Sequence, residues 1–130
     1  MKDLTKFYIN GQWVSPLVAN DLAVENPATE ETIATISLGA AADVDAAVAA
    51  AKAAFPSYSQ VSVEERIALM ENLLKIYMDG YDEMSMAISN EMGAPISFAS
   101  AAQADCGRGH INAAIEALKK FEFERQVGNT

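Results

Sequence analysis

The sequence predicts an α+β chain that is mainly helical, with two small N-terminal β-hairpins followed by three or four helices. Three observations predict it. KFYINGQWV (Lys6–Val14) is rich in aromatic and β-branched residues and is split by Asn10-Gly11, a dipeptide that favours a type I′ turn. TIATIS (Thr32–Ser37) alternates with period two after a Pro-containing turn. From Ala40 onward the apolar spacing becomes helical.

The elements follow in order. The arms around Asn10-Gly11 are short, so this hairpin needs something to pack on. Leu22–Val24 is a second strand, and the Asn-Pro step in Asn26-Pro27-Ala28-Thr29-Glu30-Glu31 favours a turn before Thr32–Ser37. The two hairpins could share one sheet. Val44, Val48, Ala51 and Phe55 form a narrow apolar stripe on an Ala-rich helix that should stop near Pro56. At the start of that helix Ala40 stands where Asp or Ser would cap better. Ser62-Val63-Glu64-Glu65 matches a capping box. The helix it opens aligns Ile67, Met70, Leu73, Leu74, Tyr77 and Met78, and Gly80 suits its end. Tyr81–Glu91 aligns Met84, Ala87 and Ile88 before Gly93-Ala94-Pro95 breaks it. Ser97 should cap a last segment, Phe98–Phe121, where Gly107 and Gly109 suggest a kink or a close helix contact. Of these residues, Val44, Phe55, Leu73 and Leu118 are expected to build a small core.

Composition narrows the function classes. The chain has 130 residues, enough for one hydrophobic core, and is 51% apolar and 21% charged, as ordinary globular domains are. A net charge of −9 disfavours nucleic-acid binding and attachment to an anionic membrane. No apolar run approaches the roughly 18 residues that span a bilayer. The opening MKDLTKFYIN lacks the apolar stretch of a signal peptide, and Cys106 is the single cysteine, so a cytoplasmic location is expected.

The reactive residues are few. Cys106 needs a base or cation to become a thiolate; Asp105 opposes this and Arg108 favours it. His110 is the only histidine and lies one helical turn beyond Cys106, yet no further ligand or orienting group accompanies the pair. Both read more simply as packing or surface residues. Glu30-Glu31, Glu64-Glu65 and Asp82-Glu83 fall at turns or first helical turns, where carboxylates complement the helix dipole. Gly107-Arg108-Gly109 lacks the third glycine of a phosphate loop and sits inside a helical stretch. Met84, Met86 and Met92 read as helix-face residues. Read alone, these residues describe a fold and no active site: no catalytic, cofactor-binding or metal-ligating residue is assigned.

The order of the pieces resembles one family. FYINGQWV, then ENPATEE before TIATISLG, then ADVDAAVAAAKAAF, SVEERIALMENLL and Glu91-Met92-Gly93-Ala94-Pro95 together resemble the N-terminal segment of aldehyde dehydrogenases. The closing AIEALKKFEFE is similar to the helix that follows in bacterial members. Ala94, often a lysine in the family, is a departure. The resemblance implies NAD(P)-dependent oxidation of an aldehyde to a carboxylic acid through a cysteine thiolate, a glutamate-activated water and an oxyanion held by a backbone amide and an asparagine. In the family those residues and the cofactor's Gly-rich turn lie C-terminal to the region matched, and Cys106 does not correspond to the nucleophile. The segment would form the outer, largely helical part of the cofactor-binding domain, without its parallel sheet. It divides into a hairpin region (1–39), a helical region (40–121) and a polar tail (122–130). NAD or NADP belongs to the full-length member, with none expected on this chain alone. Some members hold a structural monovalent cation through carbonyls that fall here on Val24 and Glu25. The expected partner is the remainder of the polypeptide, with self-association through uncovered apolar helix faces. The competing reading is a stand-alone helical interaction module or a truncated gene product.

Overall fold

The computed structural model describes residues 2–128. Five strands come first: β1 (Lys2–Leu4), β2 (Phe7–Ile9), β3 (Gln12–Val14), β4 (Asp21–Asn26) and β5 (Glu31–Ser37). The helices are α1 (Ala41–Tyr58), α2 (Val63–Asp79), α3 (Tyr81–Met92), α4 (Ile96–Phe98) and α5 (Asp105–Lys120), with a π-helical stretch, Ala99–Ala104, joining the last two. The chain forms two compact units: residues 2–60 with Ala87–Pro95, and Val61–Met86 with residues 96–128. The α+β, mainly helical class is the one expected.

In the first unit β2 and β3 pair antiparallel, with Phe7 opposite Val14 and Ile9 opposite Gln12. The two loop residues, Asn10 (φ 53°) and Gly11 (φ 75°), both take positive φ, as a type I′ turn requires. β4 and β5 form the second hairpin. Its turn is built by Asn26: the side-chain oxygen accepts from the Ala28 amide, and the carbonyl accepts from the amides of Thr29 and Glu30. One expectation is corrected. The hairpins do not share a sheet: β2-β3 stands as its own pair, and the other sheet runs β1-β5-β4. Its third strand, β1, pairs parallel with β5 and carried no alternation to reveal it, being only three residues long.

Helix α1 passes through Pro56 and ends at Tyr58, near the expected stop. A proline in the last turn removes only its own donor. The next amide that matters, Ser59 N–H, still reaches the Phe55 carbonyl at 2.8 Å, and the helix ends there. The α1 stripe is not core: Val44, Val48 and Phe55 are all exposed, and the buried residue of the helix is Asp43. Buried with it in this unit are Ala34 and Ser37, whose hydroxyl donates to Asp21 at 2.7 Å. The Gly-Ala-Pro turn docks on the Asn-Pro turn. Gly93, at φ 68°, presents its missing side chain to Pro27, and an added Cβ would lie 2.9 Å from the proline Cγ. The Ser89 hydroxyl closes the same turn onto the Ala94 carbonyl at 2.7 Å.

In the second unit α2 opens on the expected capping box. Ser62 Oγ accepts from the Glu65 amide at 3.1 Å, and Glu65 accepts from the Ser62 amide at 3.0 Å. Helix α2 packs along α5. Ile67, Met70, Leu74 and Tyr77 are half-buried, but Leu73 and Met78 are exposed, so the covered face is narrower than the apolar spacing suggested. Leu118 is half-buried and Ile115 is buried. With Val44, Phe55 and Leu73 exposed, the expected four-residue core does not form. Ser97 lies inside α4 and does not cap the last segment. A helix can start directly after a proline, so Pro95 places the start at Ile96. The close helix contact expected near the two glycines occurs at Gly107 alone: a Cβ there would meet the ring of Tyr77, while Gly109 faces open space.

Candidate functional site

Cys106 and His110 lie one turn apart on α5, and both are exposed. The cation nearest to Cys106 in sequence, Arg108, is engaged elsewhere. Arg108 grips the Asp105 carboxylate with two bonds, Nε to Oδ1 at 2.7 Å and a terminal nitrogen to Oδ2 at 3.0 Å. This clasp holds the Asp105 pKa below, and the Arg108 pKa above, their ordinary values. Among the described residues no group of three or more His, Cys, Asp or Glu side chains converges as a metal site would need. The geometry gives the pair neither an orienting group nor a third ligand.

The polar groups on α2 and α3 that sequence reading missed are structural. Tyr77 and Tyr81, one turn apart, donate their hydroxyls to the carbonyls of Ala104 (2.7 Å) and Ser100 (2.6 Å). Those carbonyls belong to the π-helical stretch, whose register leaves backbone groups in need of partners. Burial pushes the Tyr77 pKa up, with the acidic groups of Tyr81, Asp105 and Cys106 adding to it. Nothing in the spacing of the two tyrosines distinguished carbonyl donors from core aromatics.

At the start of α1 the signal was partly legible. Ala40 has no side-chain acceptor, but Asp43, three residues on, supplies the returning half of a capping box. One oxygen accepts from the Ala40 amide and the other from the Leu17 amide, each at 2.9 Å. Asp43 thus ties the loop after β3 to the helix that follows β5.

Two implied groups can be weighed against these residues. A dinucleotide's pyrophosphate sits on a helix N-terminus with free amides, after a strand and a Gly-rich turn. Here the first turns of α1 and α2 are capped by their own carboxylates, Asp43 and Glu65. Among the described residues the one parallel strand pair, β1-β5, is linked through β2, β3 and β4 with no helical crossover. The described residues do not fit a dinucleotide site. The β4-β5 register shifts between Val24 and Glu25, but the residue passed over is Ile33 on β5, and Val24 and Glu25 stay opposite Ala34 and Thr32, so the shift does not by itself free their carbonyls for a cation.

Comparison with known proteins bears on the chain as a whole. A 3-succinoylsemialdehyde-pyridine dehydrogenase of Pseudomonas is 42% identical over all of this chain. A crystal structure of an aldehyde dehydrogenase from Bartonella henselae superposes on all of it with a TM-score of 0.95 at 44% identity. A Pseudomonas syringae aldehyde dehydrogenase, crystallised with NAD+ and octanal, matches 95% of it with a TM-score of 0.92 at 43% identity. The chain spans 28%, 28% and 26% of the lengths of these three proteins. The aldehyde dehydrogenase family model matches residues 13–129, nine-tenths of the chain, and with that match the chain belongs to the aldehyde dehydrogenase family.

Proposed function

We propose that this chain is the N-terminal portion of an NAD(P)-dependent aldehyde dehydrogenase that oxidises an aldehyde to a carboxylic acid, and that the 130 residues alone are catalytically inert. The observation that carries the reading is the match of 95% of the chain to an enzyme crystallised with NAD+ and octanal. Inertness rests on the site geometry. Cys106 and His110 lack an orienting group, Arg108 is committed to Asp105, and the first turns of α1 and α2 are capped by Asp43 and Glu65. The chain's part is then scaffolding. Asp43 fixes a loop to α1, and the docking of Gly93 on Pro27 fixes two turns to one another. Its partner is the rest of the polypeptide, in the cytoplasm; no helix among the described residues is long and apolar enough to cross a membrane.

Two measurements test this. The coding sequence past Thr130 should continue in frame into a strand, a Trp-Asn-containing loop and a Gly-rich turn. An immediate stop codon would favour the stand-alone module instead. The purified chain, given NAD+ or NADP+ and a panel of aldehydes, should produce no reduced cofactor. Turnover that Cys106→Ser abolishes would overturn inertness and make the Cys106–His110 pair the site.

A further inference from the structure

We propose that Asn10 is a site of spontaneous covalent modification, where succinimide formation with Gly11 converts the turn to aspartate or isoaspartate and breaks the β2-β3 register. Both residues are exposed, and nothing stands within 4 Å of where a Cβ on Gly11 would be, so that side of the turn is open to solvent.

The chemistry balances within the chain plus water. The Gly11 backbone nitrogen attacks Asn10 Cγ, forming the new C–N bond of a five-membered ring. The Cγ–Nδ2 bond breaks, and ammonia leaves, taking up the Gly11 amide proton. Water then opens the ring at either carbonyl, giving aspartate or an isoaspartate whose main chain runs through the former side chain. No oxidant or reductant is consumed.

The rest of the sequence makes the site selective. Gly11 is the only glycine that follows an asparagine, so only there does the attacking nitrogen lack a side chain beside it. Asn26 precedes Pro27, which has no N–H to lose, and Asn72, Asn90 and Asn112 are held in α2, α3 and α5. Ring closure needs the Gly11 nitrogen to approach Cγ, and opening of the turn allows that motion. The arms of this hairpin are three residues each, so opening costs little. The isoaspartate product adds a main-chain atom to a two-residue loop whose length sets the pairing of Phe7 with Val14.

The test is a time course of the intact chain at mildly alkaline pH, read by peptide mass mapping and by labelling with an isoaspartyl methyltransferase. Asn10 should gain one mass unit several-fold faster than Asn20, the exposed asparagine that precedes Asp21. Methyl acceptance should rise in step. Asn10→Gly keeps the positive-φ turn and should remove that methyl acceptance. Modification of Asn10 no faster than Asn20, or methyl acceptance unchanged in Asn10→Gly, would overturn the proposal.

Discussion

Gly107 and Gly109 occupy one helix two residues apart, and the structure gives them opposite sensitivities. At Gly107 an added methyl would stand about 2.6 Å from Tyr77 Cζ and displace the hydroxyl that serves the Ala104 carbonyl. Overpacking of that kind costs about 1–3 kcal/mol and exceeds the gain of about 1 kcal/mol from replacing glycine in a helix. Gly107→Ala is therefore expected to lower the urea midpoint. Gly109→Ala meets open space and should raise it by the propensity gain alone. Equal shifts in the two variants would show that the Tyr77 contact does not constrain α5. Asp43 makes a similar single-residue case. Asp43→Ala removes the acceptor of the part-buried Leu17 and Ala40 amides, and about 0.5–1.5 kcal/mol per lost hydrogen bond is the expected scale. A thermal midpoint unchanged in that variant would mean water replaces the carboxylate at no cost.

At the scale of elements, the cap of α2 is the clearest test because it was legible beforehand and stands in the structure. Ser62→Ala should destabilise by about 0.5–2 kcal/mol, measured as a denaturation midpoint. Its pH dependence has a fixed sign. The hydrogen bonds from Ser62 hold the Glu65 carboxyl below its ordinary value of 4.5, so its contribution is complete above that value and fades as pH falls through the lower native pKa. The difference between wild type and Ser62→Ala should shrink on acidification; a gap that widens would reverse the assignment. The hairpin turn and this box were legible because each rests on a few adjacent residues with a fixed geometric demand. Strand β1 was not, since its partner lies some thirty residues away and three residues carry no period. The π-helical stretch was not, since ASAAQA reads as ordinary helix and the hydroxyls that satisfy it come from α2 and α3. Of the candidate site, the spacing of Cys106 and His110 one turn apart on a helix was legible. That Arg108 turns to Asp105 needed the rotamers.

For the molecule as a whole, the apolar stripe of a helix predicts burial only if something lies across it. On α2, Leu69, Leu73 and Ile76 recur at steps of four and three on a face other than that of Leu74 and Tyr77, and they stay 52%, 47% and 60% exposed. On α1 the same holds for Val44, Val48 and Phe55 at 59%, 45% and 67%. The buried apolar residues among those described are small or single: Ala34, Ala99, Ala104 and Ile115. Monomeric proteins seldom leave contiguous apolar patches beyond a few hundred Å2 in water. A charge of −9 slows approach between copies but withdraws no methyl group from solvent. The isolated chain should therefore self-associate or bind an apolar fluorescent dye strongly. Sedimentation velocity across a concentration series, with dye titration alongside, reads both. The association should strengthen with added salt, which screens the repulsion while leaving the apolar term in place. Replacing Leu69 and Ile76 together by serine should weaken it, because neither is covered in the isolated chain and the α2–α5 packing does not depend on them. A compact monomer with no dye binding at any salt concentration would show that these faces need no cover, and would move the balance toward a self-sufficient interaction module.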